Sequence, residues 1–100
     1  MYGRIGRMIA VPGHRDDLIR ILLTAVEDMP GCLSYVVATD PGDVRAIWIT
    51  EVWVDEASHA ASLTRPSVRD AIAKGRPLIA DFREQFVTAP VGGHGLRKRA

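Results

Sequence analysis

Residues 46–63 read AIWITEVWVDEASHAASL, and the change of rhythm inside them decides the fold. As far as Val54 the run is β-branched and aromatic and reads as a strand. Ile47, Ile49, Glu51 and Trp53 share one parity and therefore one sheet face, while Trp48, Thr50 and Val52 share the other. Asp55 then stands where a helix N-cap belongs, and a short helix through Leu63 follows. On that helix His59, Ser62 and Leu63 lie on one face, so Trp53 and His59 are expected to converge.

The flanking segments complete the pattern. CLSYVVAT (32–39) is a second strand, joined to the first by the turn residues DPGD (40–43), so the two form a hairpin. Upstream, residues 2–11 alternate loosely and stop at Pro12-Gly13, which predicts a strand. Residues 14–29 place Leu18, Leu22, Ala25, Val26 and Met29 at helical spacing, with Asp16 and Asp17 in the first turn and Pro30-Gly31 as the stop. Downstream, Pro66 opens a helix to about Lys74, and Gly75 and Pro77 end it. FREQFVTA (82–89) is the last strand, and VGGHGLRKRA (91–100) is expected to be a flexible basic tail. The order predicts an α+β fold of the ferredoxin-like, split βαβ type: a four-stranded antiparallel sheet with helices on one face, occupying 1–90. Residues such as Tyr35, Trp48 and Val52 are too apolar to leave the other face in water, which predicts a homodimer through it.

A chain of 100 residues has room for one domain. With 47% hydrophobic and 25% charged residues it has the composition of an ordinary globular protein. Three of its thirteen basic residues are Arg97, Lys98 and Arg99, and the ten others face twelve acidic ones. A nucleic-acid partner is therefore not expected. Cys32 is the sole cysteine, which excludes an intrachain disulfide and a cysteine metal site, and neither His14 nor His94 has a companion at metal-ligand spacing. Arg4 and Arg7 interrupt the apolar N-terminus, so neither a signal peptide nor a membrane span is expected and the cytoplasm is the expected location. Eleven arginines against two lysines fit a GC-rich, bacterial genome.

VPG (11–13) after the first strand, MPGCLSYVV (29–37) into the second, and IWITEVWVDEASH (47–59) across the third and its helix together resemble the antibiotic biosynthesis monooxygenase (ABM) domain. The resemblance runs over residues 2–90. It implies a dimeric α/β barrel in which two sheets face each other and each protomer holds a pocket between sheet and helices. It also implies oxidation of quinols or anthrone-like phenols by O₂ with no metal or flavin cofactor. In polyketide-tailoring members the pocket has a tryptophan at the position of Trp53, a tyrosine at His59, an arginine at Arg69 and an asparagine at Ile49; the first and third types are kept here. The haem-degrading members need a histidine at the position of Ile72 and an asparagine in the first strand, and the sequence has neither. Some quinol-oxidising members carry a histidine at the position of Ser62.

The implied chemistry needs few parts. His59 titrates near neutrality and can take a phenolic proton, a cation such as Arg69 can steady the resulting anion, and Trp53 can hold an aromatic ring. Trp53, Ile49 and Glu51 are the expected substrate-binding wall. Glu51 has two readings, a base or the ion-pair partner of Arg4, Arg7 or Arg83. Two classes of function stay open: a cofactor-independent monooxygenase acting on a small aromatic substrate, and a non-catalytic dimeric small-molecule binder. An apolar cavity of roughly 300 Å³ or more, reached by His59 or Arg69, separates the first from the second.

Overall fold

The computed structural model describes residues 1–96; the tail cations Arg97, Lys98 and Arg99 lie outside the described residues. Strand β1 spans Tyr2–Ala10, helix α1 Arg15–Ala25, β2 Cys32–Thr39, β3 Ala46–Trp53, α2 Glu56–Ser62, α3 Pro66–Gly75 and β4 Ile79–Thr88. The strands form one antiparallel sheet in the order β2-β3-β1-β4, the split βαβ arrangement expected from the sequence.

Local chemistry explains the joints. The Asp40 carboxylate accepts the Gly42 N–H at 2.8 Å, which tightens the β2–β3 hairpin. Asp55 accepts the Ser58 N–H at 2.8 Å and caps α2, and Pro66 opens α3 where its missing N–H is not needed.

Three details differ from the sequence reading. Helix α1 ends at Ala25 rather than Met29, because a turn follows in which Asp28 takes a left-handed φ of 53°. Met29 still reaches the core, from that turn rather than from a helix. Strand β4 begins at Ile79, three residues early, because the 3₁₀ turn Arg76–Leu78 redirects the chain at once and Ile79 pairs with Ala10. Tyr35 lies on the helix side, since it is opposite Glu51 in the β2–β3 register; burial of that face, not of the open one, accounts for its ring.

The core is divided. One cluster holds Ala10, Leu18, Ile47 and Ile49; a second holds Met29, Trp53 and Val68; Tyr35 packs against both. Among the described residues no helix covers the other sheet face. On it Val36 of β2 is 51% exposed and Phe86 of β4 is 55% exposed. No helix among the described residues is long and apolar enough to cross a membrane.

Candidate active site

Strand β3 delivers Glu51 and Trp53 to the helix side, and the turn into α2 folds His59 back over them. A close approach fixes that turn. Val54 donates its N–H to the Gly31 carbonyl at 2.9 Å, and Gly31 sits at φ +80° with Ser58 where a Cβ would be, 2.5 Å away. Only glycine fits there without displacing α2. Ser62 gives its hydroxyl to the His59 carbonyl at 2.6 Å, one turn further on.

The result is a compact group of rings around one carboxyl. Trp53, 1% exposed, meets the His59 ring edge-on at 5.4 Å between centroids, and the Tyr2 ring lies tilted against His59 at 5.4 Å. The Trp53 indole donates to Glu51 Oε1 at 3.1 Å. The same oxygen is 3.9 Å from His59 Nε2, too far for a direct hydrogen bond but close enough for one atom to touch both. The His59 and Glu51 side chains are only 14% and 15% exposed.

Glu51 does not form the ion pair with an arginine that one sequence reading expected. Arg7 turns to the open face and grips Glu84, Arg83 pairs with Asp81, and Arg4 gives its Nη1 hydrogen to the Tyr2 hydroxyl at 3.1 Å. Arg4 acts on Glu51 through its charge alone. Burial raises the Glu51 carboxyl above its ordinary range, against the smaller lowering effects of the Trp53 indole and of Arg4. Burial, then the Arg4 charge, lowers the His59 imidazole, while Glu56 pulls it up slightly. Burial also pushes the Tyr35 phenol up, with the Glu51 charge adding to it. Glu51 is therefore drawn toward its protonated form and His59 toward its neutral one, a pair able to exchange a proton with a bound hydroxyl.

A cavity of about 590 Å³ opens between the two core clusters and ends at this group. Its wall is mostly apolar, with Leu18, Met29 and Val68 deep and the exposed Leu63, Ile72 and Phe82 at the rim. Trp53, Glu51 and His59 all line it. Two expected residues do not. Ile49 is buried in the first core cluster, packed with Ala10, Leu18 and Ile47, and does not reach the space. Arg69 is exposed on α3 and absent from the wall, because Val68 is the residue of that turn that faces inward. The cation that does line the cavity is Arg76, in the 3₁₀ turn after α3. The sequence reading passed over it as part of a helix stop. Tyr2 was also passed over, although its place opposite Trp53 follows once the β1–β3 register is known. Among the described residues no three of His, Cys, Asp and Glu gather closely enough to hold a metal ion.

The family model described as "Antibiotic biosynthesis monooxygenase" matches residues 1–74, and thus β1 through nearly all of α3. The chain belongs to the antibiotic biosynthesis monooxygenase family. Its fold is similar to the crystal structure of a protein from Chloroflexus aurantiacus J-10-fl, provisionally named an antibiotic biosynthesis monooxygenase. The two are 64% identical, with a TM-score of 0.93 over 95% of this chain and 97% of that one. A similarly named protein from Deinococcus radiodurans is 25% identical, with a TM-score of 0.77 over 93% of this chain and 95% of that one. One from Nitrosomonas europaea shares the fold at 13% identity, with a TM-score of 0.82 over 92% and 100% of the two chains. No curated protein matches the chain.

Proposed function

We propose that this member of the antibiotic biosynthesis monooxygenase family uses O₂ to oxidise an electron-rich phenol or quinol without metal or flavin, with His59 as the proton acceptor. The observation that carries the reading is the Glu51–His59 pair at the polar end of an apolar cavity of about 590 Å³. That volume lies inside the roughly 300–1,000 Å³ range of small-molecule sites, and the pair includes the one histidine on the described wall, a side chain that ordinarily titrates near neutrality.

In the proposed sequence a substrate hydroxyl sits against His59 Nε2 and gives up its proton. The anion passes one electron to O₂, and the aryloxyl radical and superoxide combine at a ring carbon that carries hydrogen. Loss of water from the resulting peroxide, taking that hydrogen as a proton, leaves a carbonyl. A phenol plus O₂ thus becomes a quinone plus water, and a quinol becomes a hydroxyquinone plus water. Trp53 and Tyr2 hold the imidazole, and the apolar wall keeps bulk water from quenching the radical pair.

A second copy completes the molecule in this reading. The uncovered sheet face, with Val36 and Phe86 exposed, packs against the same face of a partner to form a homodimeric α/β barrel. Sedimentation at micromolar concentration tests it, and a stable folded monomer would contradict it. The chemistry is tested by oxygen uptake of metal-stripped protein over a panel of quinols and hydroxynaphthalenes, with isotopically labelled O₂. Uptake above the quinol's own autoxidation, with one labelled oxygen atom in the product, is expected. Tight binding with no uptake would leave a small-molecule binder.

A further inference from the structure

The two ends of the cavity differ in charge. At the inner end stand Glu51 and His59, and no lysine or arginine among the described residues lines that end. Arg76 is the single arginine or lysine on the whole described wall, it is exposed, and its guanidinium makes no hydrogen bond or ion pair with any described residue. The one acidic residue besides Glu51 on the described wall, Asp81, is held by Arg83 Nε at 3.1 Å. Arg76 therefore presents an uncommitted guanidinium to whatever lies in the cavity.

The strand register measures the span between the two ends. Along β1, Glu51 is opposite Arg4, Phe82 opposite Met8 and Ile79 opposite Ala10. At ~3.3 Å per residue, Glu51 lies about 13 Å from the level of Phe82 and about 20 Å from that of Ile79. Two or three fused rings plus the reach of an arginine side chain cover that distance. At the inner end a hydroxyl oxygen about 2.8 Å from both Glu51 Oε1 and His59 Nε2 bridges their 3.9 Å separation, donating to one and accepting from the other. A carboxylate placed there would face the Glu51 carboxyl instead.

We propose that the cavity selects an elongated hydroxyaromatic acid and binds it in one orientation, with the hydroxyl between Glu51 and His59 and the acid group on Arg76. This rests on the cavity being an aromatic ligand's site, as proposed above, but on no reaction with oxygen. Arg76 is then a specificity-determining residue, and its planar fork suits a carboxylate better than lysine would.

Isothermal titration with three probes tests it: naphthol, naphthoic acid, and a hydroxynaphthoic acid with its two groups at opposite ends of the rings. The last should bind about tenfold tighter than naphthol, the effect of one charge-assisted pair at a partly exposed site. Arg76→Gln should abolish that preference, and Arg76→Lys should restore part of it. Arg69→Gln, the same charge change on the exposed face of α3, should leave it intact. Glu51→Gln should narrow the preference for hydroxynaphthoic over naphthoic acid. Equal binding of naphthol and the hydroxy acid, a preference that survives Arg76→Gln, or no binding of any probe would overturn the proposal. If the acid preference holds while quinols drive no oxygen uptake, the oxygenase reading fails and this one stands. Uptake without the preference has the opposite meaning.

Discussion

Strand β3 carries two tryptophans, and each gives its indole hydrogen to a carboxylate. Trp53 donates to Glu51 at 3.1 Å on the helix side; Trp48 donates to Asp40 at 3.0 Å on the open side. The carboxyls nevertheless move in opposite directions. Asp40 falls below its ordinary value, first through the Gly42 N–H, then through Trp48, with Arg7 and Arg15 adding their charge. Glu51 rises, because burial outweighs its one indole bond and the charge of Arg4. Around Trp48, Arg7 lies 5.6 Å from the ring and is bound to Glu84, so each charge there has a partner. Around Trp53 the carboxyl has an imidazole 3.9 Å away and lines the cavity. The same contact lowers a carboxyl where cations and a backbone N–H complete it, and is outweighed by burial where they do not.

The largest expected effect separates the two rings directly. Trp53→Ala removes a nearly fully buried side chain and should cost about 3–5 kcal/mol. Trp48→Ala, at a half-buried ring, should cost less than half of that. Chemical denaturation of both variants checks this, and equal losses would break the comparison. Next, Gly31→Ala should cost about 1–3 kcal/mol, since it adds a Cβ against Ser58 at a left-handed backbone position. Because Ser58 adjoins His59, the same variant should weaken ligand binding, while a probe of the Trp48 side, such as the Arg7–Glu84 pair, is unmoved.

The smallest effects concern pH and have opposite signs. A raised carboxyl such as Glu51 contributes stability that is present at low pH and is lost as pH rises through its folded value, above the ordinary 4.5. Glu51→Gln should therefore remove a decline in melting temperature on the way from acid to neutral pH. A lowered carboxyl such as Asp40 contributes stability present above its ordinary 3.8 and lost as pH falls through its folded value. Asp40→Asn should weaken the protein at neutral pH and converge with the parent in acid. Melting curves over that range read both, and parallel curves for the two variants would contradict the assignment of opposite shifts.

Much of this was legible in the sequence, because alternation and breakers act locally. The parity of Ile47, Ile49, Glu51 and Trp53, the Asp55 cap and the DPGD turn each follow from neighbours a few residues away, and they place Trp53 and His59 together. What the sequence did not show was set by distant contacts. Ile49 shares parity with Glu51, but tertiary packing decides that Glu51 meets the cavity while Ile49 is buried in the first core cluster. Arg69 and Arg76 both sit in or beside α3, and only the helix's packing angle decides that the second reaches the wall. The partner of Glu51 was out of reach for the same reason: the β1–β3 register puts Arg7 opposite Trp48 on the open face, where it meets Glu84, 77 residues away in sequence.

The central claim is that the Glu51–His59 end of the cavity moves the proton that starts the reaction. Oxygen uptake by metal-stripped His59→Ala, beside the parent and with naphthohydroquinone as substrate, tests it most directly. The expected result is a rate lower by about 10²–10⁴-fold with the melting temperature nearly unchanged. A His59→Ala protein that is folded and matches the parent's rate would contradict it.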